Sequence, residues 1–158
     1  MTEDRGEHSA VILLVEDDPG DQELTKRALE EGRFRNDLYI VENGREALDY
    51  LYREGKYEDP ASSPTPDLIL LDLNMPVLGG KEVLEKLQHH PDFRQMVVIV
   101  LTTSNQETDI VRSYNLGVKS FITKPVDFNQ FVQIVREVQK YWFQIVVLPP
   151  TQRCKGDG

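Results

Sequence analysis

The chain is short of cysteine and of long apolar runs. Cys154 is its one cysteine, so no intramolecular disulfide can form, and a reducing compartment is the default expectation. No apolar run approaches the ~18 residues that a membrane-spanning helix needs. The first ten residues, MTEDRGEHSA, are polar and acidic, unlike a secretory signal peptide. These shortages predict a soluble protein of the cytoplasm.

Basic residues are also scarce. The chain has 18 lysines and arginines against 27 aspartates and glutamates, for a net charge of -9. A nucleic-acid-binding protein or one that binds anionic membranes would carry a basic face, so we expect neither partner. The 158 residues, 39% of them hydrophobic, are enough for the core of one ordinary domain.

Five short apolar runs rich in β-branched residues predict buried strands. They cover residues 11–15, 38–41, 68–71, 97–101 and 118–122. Each run is followed by a stretch with helical spacing, and strands that alternate with helices build a parallel sheet with helices on both faces. In such α/β folds the functional site lies at the carboxyl ends of the strands.

The helices are predicted from start signals and from apolar spacing. Asp18 and Pro19 are typical of an N-cap and a first helical position, and Gly32 ends this helix. Residues 55–66 are rich in proline, serine and glycine and predict a loop. The helical spacing rests on Leu24, Ala28 and Leu29; Ala47, Leu48, Leu51 and Tyr52; Val83, Leu84 and Leu87; Ile110, Val111, Tyr114 and Leu116; and Phe128, Phe131, Val132, Val135, Val138, Tyr141 and Trp142.

Polar side chains follow four of the predicted strands. They are Glu16, Asp17 and Asp18; Asp72 and Asn74; Thr102, Thr103 and Ser104; and Thr123, Lys124 and Pro125. Because the carboxyl ends of parallel strands lie at one edge of the sheet, these groups should form one cleft.

The chemistry of this cleft follows from its residue types. Clustered carboxylates repel one another unless a cation neutralises them, and carboxylate oxygens suit Mg²⁺. An aspartate can attack a phosphoryl group and form an acyl phosphate, while Lys124 and Thr102 can contact phosphoryl oxygens. Asp72 places a charge at the end of the most apolar run. We therefore interpret it as the group that binds a metal and receives the phosphoryl group.

Four motifs in this order resemble the receiver domains of two-component response regulators. They are VEDD, LLDLNMPVLGG, LTTS and TKP, and the resemblance covers roughly residues 10–143. It implies a flavodoxin-like, doubly wound, five-stranded parallel sheet of (β/α)5 type with strand order 2-1-3-4-5. We expect a receiver domain with a C-terminal dimerisation segment at 10–148, between flexible residues 1–9 and 149–158.

The resemblance also implies roles for the acidic residues. Asp72 matches the phosphoryl-accepting aspartate. Glu16 and Asp17 match the acidic pair that binds Mg²⁺ or Mn²⁺, with Asp17 the closer ligand. Asn74 matches the residue whose backbone carbonyl completes the metal site.

Further roles are implied at the ends of the last two strands. Thr102 matches the switch hydroxyl and Lys124 the phosphate-pairing lysine. Phe121 matches the rotating aromatic side chain of the switch, here without the hydroxyl of the common tyrosine. The bond before Pro125 would be cis, as only a peptide bond to proline readily allows.

A finer likeness is to the stand-alone regulators paired with phytochromes. It rests on the loop at 55–66, on LTTS and on the ending YWFQIVVLPP. In that group the end of the last helix commonly builds a dimer, and exposed apolar patches mark interfaces. We therefore expect a homodimer through Tyr141, Trp142, Phe143, Ile145, Val146 and Leu148.

The function predicted is a single-domain response regulator. It would accept a phosphoryl group on Asp72 from a sensor histidine kinase of phytochrome type, and its only chemistry would be its own phosphorylation and dephosphorylation. An intermediate of a multi-step phosphorelay is an alternative. A small Mg²⁺-dependent phosphohydrolase is less favoured, because Asn74 stands where a second acid would be needed. Asp17, Asp72 and Lys124 argue against a receiver that is never phosphorylated.

Overall fold

The computed structural model describes residues 10–31, 36–75, 77–103, 106, 111, 116–124, 129–130, 133–134 and 136–137. The strands are β1 (Ala10–Val15), β2 (Asn36–Val41), β3 (Leu68–Asp72), β4 (Val97–Thr102) and β5 (Val118–Thr123). The helices are α1 (Pro19–Glu31), α2 (Gly44–Tyr52) and α3 (Gly80–Leu87), with short 3-10 turns at Gly55–Tyr57 and Phe93–Gln95. All five predicted strands are present, each longer than predicted by one or two residues.

Only parts of the last two predicted helices fall among the described residues. Gln106 and Val111 are helical, as are 129–130, 133–134 and 136–137. Leu116 lies outside any helix. The other residues on which these two helices were predicted lie outside the described part of the chain. Among the described residues, no helix has the length and apolarity needed to cross a membrane.

The sheet is parallel throughout, with strand order β2-β1-β3-β4-β5. This confirms the predicted doubly wound α/β fold. β3 and β4 are buried at every residue, which explains why their sequences are continuous apolar runs rather than alternating ones. The register places Asp72 beside Leu101 and Thr102 beside Thr123, so the strands end at one edge.

Alternate residues of each strand supply two separate hydrophobic clusters. Leu13 and its equivalents face α2 and α3 in one cluster. Ile12 and its equivalents face Ala28 and Leu29 of α1 and the partly buried Ile134 in the other. The sheet is therefore covered on both faces, and polar groups lie at the ends of its strands.

Two residues that were predicted to lie on the apolar faces of helices are exposed instead. Leu24 is 44% exposed, and the neighbouring Thr25 is buried instead, where its hydroxyl donates to the Asp21 carbonyl at 3.0 Å. Tyr52 is exposed, and its hydroxyl donates to the Lys86 carbonyl. Tyr50 takes the buried position in α2, with its hydroxyl on the Pro64 carbonyl.

The amino-terminal edge of the sheet is held by Asp67. Its carboxylate accepts the Val11 N–H at 2.9 Å, and its own N–H donates to the Val11 carbonyl at 2.8 Å. Its carbonyl accepts the Val97 N–H at 2.9 Å. One residue thus connects β1, β3 and β4 at the edge opposite the polar residues.

Glu46 joins the start of α2 to the following loop, and its pKa should make that junction sensitive to acid. Its carboxylate accepts from the Glu42 N–H at 2.8 Å and from the Tyr57 hydroxyl at 3.1 Å, and it pairs with Lys56 at 2.9 Å. Burial raises the pKa of Glu46, but these partners outweigh burial and lower it below 4.5.

We therefore expect Glu46→Gln to lower the free energy of unfolding by about 1 kcal/mol at pH 7. A carboxyl whose folded-state pKa is depressed stabilises the fold above its unfolded pKa, and this stabilisation is lost as the pH falls through the folded value. Urea unfolding from pH 7 downward should show the gap between wild type and variant closing. Glu58→Gln, an exposed change in the same loop, is the control, and a gap that persists in acid would contradict the prediction.

Candidate functional site

Asp72 is the last residue of the central strand β3 and is 2% exposed. Its two oxygens have different partners. Oδ1 accepts the backbone N–H of Asn74 at 3.0 Å, and Oδ2 accepts from Lys124 Nζ at 3.1 Å. The apolar strands on either side bring the carboxylate to the rim of the sheet, and these two partners compensate for its burial.

Glu16 and Asp17 follow β1 and lie beside Asp72. One carboxylate oxygen from each of the three residues falls within 4.8 Å of the others. Glu16 is fully buried and Asp17 is exposed. Two hydrogen bonds fix the backbone at Glu16: its N–H donates to the Val41 carbonyl, and its carbonyl accepts from Gln22 Nε2. The parallel topology thus brings together the acids that the sequence predicted would meet.

The pKa of Glu16 is raised to about 7, chiefly by burial and in part by the nearby charge of Asp72, while Lys124 and the Asp18 N–H act to lower it. The N–H of Asp18 bonds to Oε2 at 3.1 Å. Oε1 is buried, and among the described residues it receives no hydrogen bond of good geometry, although Lys124 Nζ lies 2.8 Å away as an ion pair. The ion pair with Lys124 is therefore what compensates Oε1 for its burial.

Lys124 follows β5 and contacts three carboxylates at once. Its Nζ lies 2.8 Å from Glu16 Oε1, 3.0 Å from Asp21 Oδ2 and 3.1 Å from Asp72 Oδ2. The backbone N–H of Lys124 donates to the Thr102 carbonyl at 2.8 Å, which fixes the point where the side chain begins. Burial lowers the pKa of Lys124, but the three carboxylates together raise it, so the ammonium stays charged.

The hydroxyl residues and Phe121 lie along the same rim. Thr102 ends β4 and is buried, and Thr103 Oγ1 accepts weakly from Asn74 Nδ2 at 3.5 Å. Phe121, on β5, is partly buried against the core. It borders a groove of about 300 Å³ that also contacts Val111 and Leu116.

The loop from β3 to α3 packs tightly against its neighbours. Gly44 N–H donates to the Leu78 carbonyl at 3.1 Å, so the start of α2 holds this loop. A Cβ at Gly80 would lie 2.6 Å from the Asp72 carbonyl oxygen, which leaves room there only for glycine. Val77 has a φ of 70° and is 77% exposed, an uncommon conformation for a β-branched residue.

The residues at this rim fit a divalent cation. Glu16, Asp17 and Asp72 offer only oxygen atoms, the donor type that Mg²⁺ and Mn²⁺ prefer. Glu16 Oε1 is buried with the Lys124 ammonium 2.8 Å away and could take a cation in place of the ammonium. The backbone at Asn74 lies beside the Asp72 carboxylate. A cation here would also reduce the repulsion between the three acids.

The seven residues predicted for phosphoryl transfer, metal binding and the switch are all described, and one contact was missed. Pro125 and the six residues predicted at the dimer interface lie outside the described residues. Asp21 was not singled out from the sequence, yet it forms one of the three ion pairs of Lys124. Its position three residues after the helix-capping Asp18 was the only available signal, and an acid there usually serves the helix itself.

The profile of the response regulator receiver domain matches residues 12–136. The chain belongs to this family. The motifs on which the resemblance rests thus supply the residues that form the rim of this receiver. Membership places the protein in two-component signalling.

The relatives of this receiver include response regulators that are named for phytochromes. Response regulator Rcp1 of Synechocystis sp. is 39% identical over 88% of this chain and 92% of its own. Its Mn²⁺-bound crystal structure has a TM-score of 0.70, covering 89% and 99% of the two chains at 38% identity. The bacteriophytochrome response regulator RtBRR has a TM-score of 0.77, covering 91% and 86% at 41% identity. The phosphorylated cyanobacterial phytochrome response regulator RcpA has a TM-score of 0.71, covering 90% and 100% at 39% identity.

Proposed function

We propose that this receiver accepts a phosphoryl group on Asp72 from a sensor histidine kinase, in a reaction that depends on Mg²⁺. The observation that carries the proposal is the position of the Asp72 carboxylate. It is buried at the rim of the sheet, 3.1 Å from Lys124 Nζ and within 4.8 Å of acidic oxygens of Glu16 and Asp17. A nucleophile, a cation site and a fixed ammonium group therefore converge on one point.

The transfer would proceed by in-line displacement. One Asp72 carboxylate oxygen attacks the phosphorus of a phosphohistidine, an O–P bond forms and the P–N bond breaks. The imidazole nitrogen keeps the electron pair and takes up a proton. Mg²⁺, when held by Glu16, Asp17, Asp72 and the Asn74 carbonyl, would neutralise charge on the phosphoryl oxygens.

The other site residues act on the phosphorylated form. Lys124 is placed to pair with one phosphoryl oxygen, and the Thr102 hydroxyl would turn to another. We propose that Phe121 moves with Thr102, because Phe121 lines the groove beside Val111. The peptide bond before Pro125 is proposed to be cis, which would fix the chain after Lys124.

The phytochrome link and the homodimer belong to the same proposal. The names of RtBRR and RcpA support a phytochrome-type kinase as the donor. We also propose residues 10–148 as the receiver with its dimerisation segment, and the cytoplasm as its location. An intermediate of a multi-step phosphorelay is the alternative to a terminal regulator. Asn74 offers an amide where a phosphohydrolase would need an acid, so turnover of external phosphate esters is not proposed.

Incubation with a small acyl-phosphate donor and Mg²⁺ tests the proposal. Intact mass spectrometry of the wild type should show the gain of one phosphoryl group, and the gain should be absent with EDTA. Hydroxylamine should remove the group, as expected of an acyl phosphate and not of a phosphoserine. Sizing before and after the reaction would report the dimer. No gain from either the small donor or a phytochrome-type kinase would refute the proposed function.

A further inference from the structure

Lys124 is the counter-ion of the acidic rim in this structure. Its ammonium lies 2.8 Å from Glu16 Oε1 and 3.1 Å from Asp72 Oδ2, and both residues belong to the proposed cation site. A divalent cation and the ammonium would therefore compete for the same two carboxylates. For the cation to bind well, the ammonium must have another anionic partner.

Asp21 is placed to be that partner. Its Oδ2 is already 3.0 Å from Lys124 Nζ, and its side chain is 23% exposed, against 0% for Glu16 and 3% for Asp72. It does not belong to the group of three acids whose oxygens lie close enough to share a cation. An ammonium held at Asp21 alone would remain in the pocket and still leave both inner carboxylates open.

The start of α1 explains why Asp21 is available for this contact. An acid at the third helical position commonly turns back to the N–H of the N-cap residue. Here the N–H of the N-cap, Asp18, bonds to Glu16 Oε2 at 3.1 Å instead. The Asp18 carboxylate caps the Asp21 N–H at 2.8 Å. The Asp21 side chain is thus left to point at Lys124.

We propose that Asp21 is a positioning residue that takes up the Lys124 ammonium when a divalent cation enters the rim. The inference rests on the proposed cation site and extends it to a residue outside that site. Asp21 contacts neither the cation nor the phosphoryl group. It acts by giving the displaced lysine a place from which it can reach a phosphoryl oxygen.

Calorimetric titration with MgCl₂ or MnCl₂ tests this role, since it needs no phosphorylation. Asp21→Asn keeps the shape of the side chain and removes its charge. We expect it to weaken cation binding by about five-fold or more, because the lysine then stays on Glu16 and Asp72. Glu23→Gln removes one charge from the exposed side of the same helix and should change the dissociation constant by less than about two-fold at physiological salt.

A double-mutant cycle with Lys124→Met shows whether Asp21 acts through the lysine. Once the competing ammonium is gone, Asp21→Asn should change cation affinity by less than about two-fold. Equal weakening with and without Lys124 would mean that Asp21 attracts the cation directly, and it would overturn the inference. No weakening in the single variant would overturn it as well.

Asp21→Glu supplies a test that does not depend on the folding of Lys124→Met. It retains the carboxylate and should keep the affinity within about two-fold of wild type. A purely steric role would give the opposite result, because Asp21→Asn preserves the shape of the side chain and Asp21→Glu lengthens it. If the wild type binds the cation and accepts a phosphoryl group, and Asp21→Asn does both equally well, this inference alone is overturned. A wild type that binds no divalent cation overturns the proposed function with it.

Discussion

The Asp72→Asn protein is expected to take up no phosphoryl group from a small acyl-phosphate donor in Mg²⁺. The amide of asparagine is not a nucleophile under these conditions, and it also removes one carboxylate from the cation site. The change is close to isosteric, and Asn can still accept from the Asn74 N–H that now bonds to Oδ1. Intact mass before and after incubation is the measurement, and the loss should be complete.

Asp18→Asn is the matched control for that experiment. Asp18 lies two residues from Glu16 but is exposed, and its carboxylate serves as the cap of α1 through the Asp21 N–H. Asparagine is as good an N-cap as aspartate, so this variant should fold and gain one phosphoryl group as the wild type does. A phosphoryl gain in Asp72→Asn, mapped by fragmentation to another residue, would show that Asp72 is not the acceptor.

Gly44→Ala is expected to lower the free energy of unfolding by about 3 kcal/mol. Gly44 is the first residue of α2, where alanine would normally be tolerated or preferred. Here its Cβ would lie 2.2 Å from the Leu78 carbonyl oxygen, a backbone atom that cannot rotate away. The same carbonyl accepts the Gly44 N–H, so the overlap would push α2 from the loop that follows β3 or break the bond between them.

Gly20→Ala separates this overlap from the general effect of alanine at a helix start. Gly20 lies in the first turn of α1, and among the described residues its Cβ would meet only the end of the Asp18 side chain, at 3.1 Å. We expect a change of within about 1 kcal/mol for this variant. Urea unfolding of both proteins and the wild type is the measurement. Similar stabilities for the two variants would show that the contact at Leu78 can relax.

The fold and most of the rim could be predicted because they depend on patterns that are local in sequence. Continuous apolar runs such as 68–71 predict strands buried on both faces. Parallel pairing then brings the residue after each strand to one edge, whatever the details of packing. This is why Glu16, Asp72, Thr102 and Lys124 are found at one rim, as expected from their positions after strands.

What the sequence did not show depends on how helices are rotated and docked. Thr25 rather than Leu24 is buried, because the packing of Ala28 and Leu29 sets the face that α1 turns to the sheet. The Thr25 hydroxyl can be buried there because it donates to the Asp21 carbonyl of the same helix. The same rotation aims Asp21 at Lys124. Ion pairs between elements far apart in sequence leave no periodic signal, so only the structure identifies this contact.

The two ends of β3 differ in what holds them. At Asp67 the attachment to β1 and β4 consists of hydrogen bonds to main-chain groups of Val11 and Val97. At Asp72 the neighbouring elements meet through charges that a cation or a phosphoryl group would rearrange. Local opening free energies should therefore stay constant near Asp67 and change near Asp72 as the ligands change. We expect the amino-terminal end of the sheet to be insensitive to phosphorylation and the carboxyl-terminal end to respond to it.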